Sequence, residues 1–513
     1  MPLRLYNTRT RSVEPLRPLE PDHVRVYVCG LTPSAEGHLG HARSFLFFDV
    51  LRRYLEHPRN GYRVTYVKNV TDVDDRAIAT AQREGTTFDR VVKRYYDAFR
   101  ESMRVLNVRE PDEEPYATHF VPQIVEMIAE LIERGYAYVS EDGVYYEVAK
   151  FPRYGALSGK NVEELLVGAR IAENEHKRDP LDFALWKFAK PGEPRWDSPW
   201  GAGRPGWHIE CSAMSRALLG VPFDVHGGGY DLIFPHHENE IAQSEALMDA
   251  PPMADMWVHG GLLNFDGRKM SKSLGNFEPL TELLKRHDPL AIRLLFLQTG
   301  YRKPMNFTEE SVAGAKASLE KLQKAALRLR EDGENSIRER AKERVETALL
   351  DRNLDMRAEA IFQALDDDMD TARALGLLHT MVGDTYHWHS LHRSDKALAL
   401  AREVGAIFGL APAFDDAALD QFTTEAQTRR AVEAKSSLDD AFVDRLRARL
   451  GDALHLNGVA SPEDAIQLVI DARNAARKAK DFQLADRLRQ ALVLEGIELK
   501  DSKDGTTWTV AAG

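Results

Sequence analysis

"HVRVYVCGLTPSAEGHLGHARSFLFFDVLRRYL", residues His23 to Leu55, decides the fold of the first part of the chain. It opens on "HVRVYVCG" (His23 to Gly30), a β-branched and aromatic run that ends on glycine, as a strand does. It closes on "HARSFLFFDVLRRYL" (His41 to Leu55), where apolar residues recur at helical spacing. A second strand pattern follows in "YRVTYVKNV" (Tyr62 to Val70). Strand, helix and strand make a βαβ unit, which implies a parallel sheet with a right-handed crossover. Ligands of such sheets sit beyond the carboxyl ends of the strands. Cys29 stands at that end.

Further along, the pattern changes near Tyr116 to a helix, "PQIVEMIAELIERG", and then a hairpin, "YAYVSEDGVYYEV", expected to turn at Asp142-Gly143. The Pro/Gly/Trp-rich "KPGEPRWDSPWGAGRPGW" comes next, and the whole is expected to be an insertion in the sheet domain. Strand and helix resume through "PFDVHGGGYDLIFPHHENEIAQSEALM". After Leu280 nearly everything is helical until a strand pair in "LEGIELKDSKDGTTWTV" (Leu494 to Val510). The fold class is therefore α/β. A Rossmann-like parallel-sheet domain in two halves, 1–115 and 200–260, is split by an insertion, 116–199. A connecting region, 261–320, a helical bundle, 321–455, and a small C-terminal domain, 456–513, follow.

Composition narrows the function classes. A chain of 513 residues exceeds one ordinary core. Hydrophobic residues at 43% can bury several, while no run approaches the roughly 18 apolar residues of a membrane helix. "MPLRLYNTRTRSVEP" lacks the apolar stretch of a secretory signal, and two cysteines make no disulfide framework, so a cytoplasmic protein is expected. The net charge of −12 argues against non-specific nucleic-acid binding by the whole molecule. A local basic patch remains in "RNAARKAKDFQLADRLRQ" (Arg473 to Gln490), with six basic and two acidic residues.

Three stretches carry chemistry. "FPHHENE" (Phe234 to Glu240) sets His236 and Glu240 four apart, on one helix face. With Cys29 and Cys211, they offer two sulfurs, an imidazole and a carboxylate, a donor set suited to tetrahedral zinc. An ion pair beside two buried cysteines is equally compatible with spacing alone. A zincin is not, because "HHENE" lacks the second histidine of His-Glu-x-x-His. "GHLGHARS" (Gly37 to Ser44) opens the first helix with His38 and His41 around Gly40. There free N–H groups and the helix dipole attract anions and the histidines can donate to phosphate. "DGRKMSKSLGNF" places Lys269 and Lys272 between glycines, suited to charge developing on a leaving pyrophosphate, or simply to a solvated basic loop.

His-Leu-Gly-His followed by Lys-Met-Ser-Lys-Ser resembles the paired signatures of class I aminoacyl-tRNA synthetases. With "YVCG", "KNVTDVDD", "KRDPLDFALWK", "GRPGWHIECSAM", "GGGYDLIFPHHENE", "LDDDMDTARAL" and "KDFQLADRLRQALVLEGIELKDS", the likeness to the cysteinyl-tRNA synthetase family runs from about residue 3 to Trp508. The resemblance implies ATP-dependent attachment of L-cysteine to tRNA(Cys), with Mg2+ accompanying ATP. It implies one Zn2+ per chain on Cys29, Cys211, His236 and Glu240, binding the substrate thiolate, and a pocket lined by Thr32, Thr71 and Trp207. It gives His38, His41, Lys269 and Lys272 to catalysis, and Gly40 with Lys272 to ATP binding. It makes 261–320 a lysine-loop and stem-contact region and 456–513 an anticodon-binding-like domain. A monomer with no membrane association is expected.

One stretch departs from the family, whose members read Thr-Val-Tyr-Asp where this chain has "TPSA", so that Ser34 and Ala35 replace the aromatic and the acid. Two other readings are open. A mycothiol cysteine ligase-like enzyme is suggested by Thr32-Pro33 but opposed by the long region after the lysine loop. A non-catalytic zinc RNA-binding protein would be expected to have lost one of the two signatures, and both are present.

Overall fold

The structure, a computed structural model, describes residues 2–159, 176–249, 252–265, 268–269, 278–340, 347–425, 441–456, 459, 461–502 and 505–510. Four parallel strands build the central sheet in the order Ala254–Gly260, Phe223–Gly229, His23–Leu31, Arg63–Val70. The chain runs from the His23–Leu31 strand through the Leu39–Glu56 helix to one edge, then returns on the other side. The strand order therefore reverses between His23–Leu31 and Phe223–Gly229, which opens a crevice at their carboxyl ends. In that pair Tyr27 lies opposite His226 and Val28 opposite Gly227.

Gly30 is required by close approach. A Cβ there would lie 1.5 Å from the Asn69 carbonyl oxygen. Its N–H donates to Asn69 Oδ1 at 2.8 Å, and Asn69 Nδ2 donates to Thr71 Oγ1 at 3.3 Å, where the ladder shifts register between Val28 and Leu31. Cys29 and Thr71 are thus set at neighbouring strand ends.

The region between the sheet halves holds the Val121–Glu133 helix and an antiparallel sheet of Ala137–Val139, Gly143–Tyr146, Phe183–Phe188 and Gly203–Pro205. Its hairpin turns one residue earlier than expected. Ser140 N–H donates to the Gly143 carbonyl at 2.8 Å, which leaves Glu141-Asp142 as the turn. Gly143 serves instead to admit the next strand, since a Cβ would lie 2.2 Å from the Trp186 carbonyl oxygen. Asp75 ties this sheet to the first half of the domain through Lys187, at 2.7 Å, and Arg204.

The chain forms two compact units, Met1–Asp415 and Asp416–Gly513. In the first, the Glu309–Arg340 helix packs on the Thr371–Gly383 and Ser394–Ile407 helices. In the second, the Phe442–Leu450, Pro462–Lys478 and Phe482–Leu494 helices enclose Leu446, Ile466, Val469, Leu488 and Ile497, and the Ile497–Ser502 and Gly505–Val510 strands pair antiparallel. No helix among the described residues is long and apolar enough to cross a membrane.

The Leu39–Glu56 helix is bolted from behind by a buried guanidinium. Arg293, fully buried, donates to the carbonyls of Leu106 and Asn107, both at 2.9 Å, to that of Phe408, and to Asp49. Arg53 also donates to Asp49, at 2.9 Å. Burial raises the Asp49 carboxyl, but Arg293 and Arg53 outweigh it and hold it below its ordinary value. The stabilisation is therefore present above the ordinary carboxylate range and lost as pH falls through the depressed value. Asp49→Ala, which strands Arg293 in the core, should lower stability by about 3–5 kcal/mol. Asp97→Ala, in an exposed pair with Lys93, should change it by about 0.5 kcal/mol or less. Urea midpoints compare the two, and equal midpoints would contradict the assignment.

Candidate active site

Cys29 Sγ, Cys211 Sγ and one donor atom each of His236 and Glu240 all lie within 4.8 Å of one another. They arrive from the end of the first strand, the Trp207–Leu219 helix and the turn into the Glu238–Glu245 helix. That turn is not regular helix. Phe234 is extended, at φ −138° and ψ 132°, and the helix proper begins at Glu238. The four-residue offset still faces His236 toward Glu240, with Nε2 3.1 Å from Oε1. Cys29 Sγ is 3.6 Å from Cys211 Sγ and 3.3 Å from Glu240 Oε1. All four are buried, and both cysteines are free thiols.

Their ionisation is interdependent. Burial raises the Glu240 carboxyl, but His226 and His236 overcome this and hold it well below its usual value. His236 is pushed up to about 10, since Glu240 and Cys211 outweigh burial. For Cys211, burial again raises the thiol, yet the bonds from Cys29 and His236 bring it down to about 6. Burial and the Cys211 thiolate push Cys29 well above its ordinary range. The set thus already favours anionic sulfur at Cys211 and an anionic carboxylate, and two sulfurs, an imidazole and a carboxylate so close suit a zinc ion.

Several contributors were invisible in the sequence. His226 Nε2 lies 2.9 Å from Glu240 Oε2, and its ring stacks on Trp257. His208 Nδ1 lies 2.9 Å from His236 Nδ1. His237 Nδ1 lies 2.7 Å from His259 Nε2. On the opposite side of the same stretch, Glu238 accepts from the N–H groups of Gly155, Leu157 and Ser158 at 3.0, 3.3 and 2.8 Å, and the Tyr154 hydroxyl donates to Asn239 at 2.5 Å. "HHENE" therefore serves two faces, the donor cluster and the loop 154–158. Only its His and Glu identities, not their partners, could be read from spacing.

His38 is the N-cap of the Leu39–Glu56 helix. Gly40 N–H donates to His38 Nδ1 at 3.1 Å, and His38 N–H to His41 Nδ1 at 3.4 Å. Both rings accept at Nδ1, which leaves their protons on Nε2. Burial, then the neighbouring His38, pushes His41 well below its usual value, so it is neutral. The rings stack at 3.7 Å, and a Cβ on Gly40 would sit 2.9 Å from His38 Nδ1. Thr32 and Thr71 stand at the ends of the first two strands, with Thr71 N–H bonded to the Leu31 carbonyl at 3.1 Å. Trp207 starts its helix with its ring 4.4 Å from His236 and 38% of its surface exposed. Lys269 belongs to the Arg268–Lys269 strand, opposite Asn264, and Lys272 lies outside the described residues. Glu36, beside the departing Ser34 and Ala35, is exposed.

Residues 15–317 match the model of the tRNA synthetases class I (C) catalytic domain. The chain is 42% identical over 523 residues to the "Cysteine--tRNA ligase" of Geobacter sulfurreducens, covering 99% of this chain and 100% of that one. To its counterpart from Methylococcus capsulatus it is 43% identical, over 99% of each chain. The solved Mycobacterium tuberculosis methionyl-tRNA synthetase in complex with methionyl-adenylate shares the fold, with a TM-score of 0.55 at 14% identity over 86% of this chain and 96% of that one. The chain belongs to the class I tRNA synthetases, within the cysteine–tRNA ligase family.

Proposed function

We propose that this protein joins cysteine to tRNA(Cys) with ATP. The carboxylate of cysteine attacks the α-phosphorus, pyrophosphate leaves, and a terminal ribose hydroxyl of the tRNA then takes the cysteinyl group and releases AMP. The observation that carries the reading is the buried Cys29, Cys211, His236 and Glu240 cluster at the same strand ends as the His38 helix start.

Cys29, Cys211, His236 and Glu240 would hold one zinc ion per chain. When bound, that ion supplies a soft Lewis acid that favours a thiolate over a hydroxyl, a distinction a hydrophobic pocket makes only weakly. The protein's own groups do the rest. Trp207 would wall the pocket above the metal, and Thr32 and Thr71 would line it. His38 and His41 present neutral Nε2–H donors to the ATP phosphates, and Gly40 keeps room for them. Lys269 and Lys272, with the Mg2+ that accompanies ATP, meet charge developing on the departing pyrophosphate. In this reading the protein acts as a monomer in the cytoplasm.

The tRNA contact is reassigned in detail. Arg473 is 4% exposed and forks onto Asp501 at 2.9 and 2.8 Å, and Arg477 also bonds Asp501 at 2.8 Å. These two arginines fasten the terminal hairpin to its helix. Lys478, Lys480, Arg487 and Arg489 are exposed and are the better candidates for RNA phosphates. This favours tRNA over the amino-sugar acceptor of the mycothiol ligase reading, which only Thr32-Pro33 supports.

Three experiments test the proposal. Cys211→Ser replaces a good thiolate by a poor ligand and should leave less than one zinc per chain by elemental analysis; full occupancy contradicts the ligand assignment. Lys272→Ala should lower kcat and kcat/KM of cysteine-dependent pyrophosphate exchange together, by about 10²–10³, whereas a change in the cysteine KM alone would remove its role. Exchanging Lys478, Lys480, Arg487 and Arg489 for Gln should weaken tRNA charging far more than pyrophosphate exchange and flatten its salt dependence. Unchanged charging across a salt titration would show that these residues do not bind RNA.

A further inference from the structure

The two histidines of "HHENE" are mounted alike. His236 turns Nε2 toward Glu240 Oε1, at 3.1 Å, while its Nδ1 is held by His208 at 2.9 Å. His237 turns Nε2 toward the same oxygen, at 3.9 Å, while its Nδ1 is held by His259 at 2.7 Å. His259 in turn is held at its other nitrogen by Thr8 Oγ1, at 2.7 Å. One ring nitrogen fixed by an outer partner and the other aimed at an anion is how metal-binding imidazoles are held. His236 has a place in the first donor set. His237 has none, yet it is fully buried, and its Nε2 has no hydrogen-bond partner among the described residues. A buried polar atom left so is costly unless something meets it.

The remaining donors are in reach. His226, also fully buried, faces the second Glu240 oxygen, with Nε2 2.9 Å from Oε2. One donor atom each of Cys29, His226, His237 and Glu240 lies within 4.8 Å of the others, a second complete set that shares Cys29 and Glu240 with the first. The geometry points to a second metal position on Cys29, His226, His237 and Glu240, which takes a further thiophilic divalent cation such as zinc. It rests on the reading of Cys29, Cys211, His236 and Glu240 as the first.

Charge orders the two positions. Two thiolates and a carboxylate supply three negative charges in a buried site, enough for one dication but short of the four positive charges of two. The shared thiolate and carboxylate lie between the ions and soften their repulsion, so the second binds, but more weakly than the first. Thr8 and His259 line a cavity of about 580 Å³, which comes within one hydrogen bond of His237.

The test is equilibrium dialysis of the full-length, zinc-loaded protein against rising buffered free zinc, with bound metal read by elemental analysis. The expected curve has a plateau at one zinc per chain and a second equivalent at free zinc at least tenfold higher. The second equivalent should vanish in His237→Gln and, independently, in His226→Gln, with the first retained. A wild-type curve that stops at one overturns the second position and leaves the first standing, whereas a protein that binds none overturns both. A second equivalent that survives in either variant is a surface ion and also overturns it.

Discussion

Glu240 is a carboxylate with no contact to solvent, and the site is arranged around keeping it charged. An unpaired buried charge costs several kcal/mol, and Glu240 is met by several partners at once. They come from three parts of the chain: His226 from the third sheet strand, His236 from the turn before its own helix, and Cys29 from the first strand. Only a sheet whose strand order reverses between the first and third strands brings those ends together. Sheet topology and donor chemistry are one constraint.

The same stretch couples the site to the rest of the domain. Glu238 and Asn239 face away from the donors and hold the loop 154–158, while His237 leads through His259 to Thr8 near the start of the chain. Further along the same helix, Arg293 and Asp49 lock Leu39–Glu56 to the turns at Leu106 and Phe408. His38 and His41 are therefore carried on a helix anchored near its middle.

Local signals were legible, and distant pairings were not. β-branched runs and helical spacing marked the strands at 23–31 and 63–70 and the helix between them, because period and composition are local properties. The insertion's hairpin turns one residue before its Asp-Gly signal, since Gly143 looks like a turn glycine but is needed for strand contact. Cys29, Cys211, His236 and Glu240 were singled out by type, with their likeness to a family, and they do lie together. His226 was hidden, as its value comes from standing opposite Tyr27 in a neighbouring strand, a register no spacing reveals. Arg473 belongs to the basic patch by composition, but its pairing with Asp501, 28 residues on, is a long-range contact that composition does not show.

In the proposed site, paired sulfurs, an imidazole and a carboxylate present a metal that recognises a thiol. X-ray absorption at the zinc edge of the purified protein reads this most directly. With one zinc per chain, the expected spectrum shows two sulfurs at about 2.3 Å and two nitrogen or oxygen donors at about 2.0–2.2 Å. Cysteine should add a third sulfur at the same distance, and serine should add none. A shell without sulfur, or one indifferent to cysteine, would contradict the account.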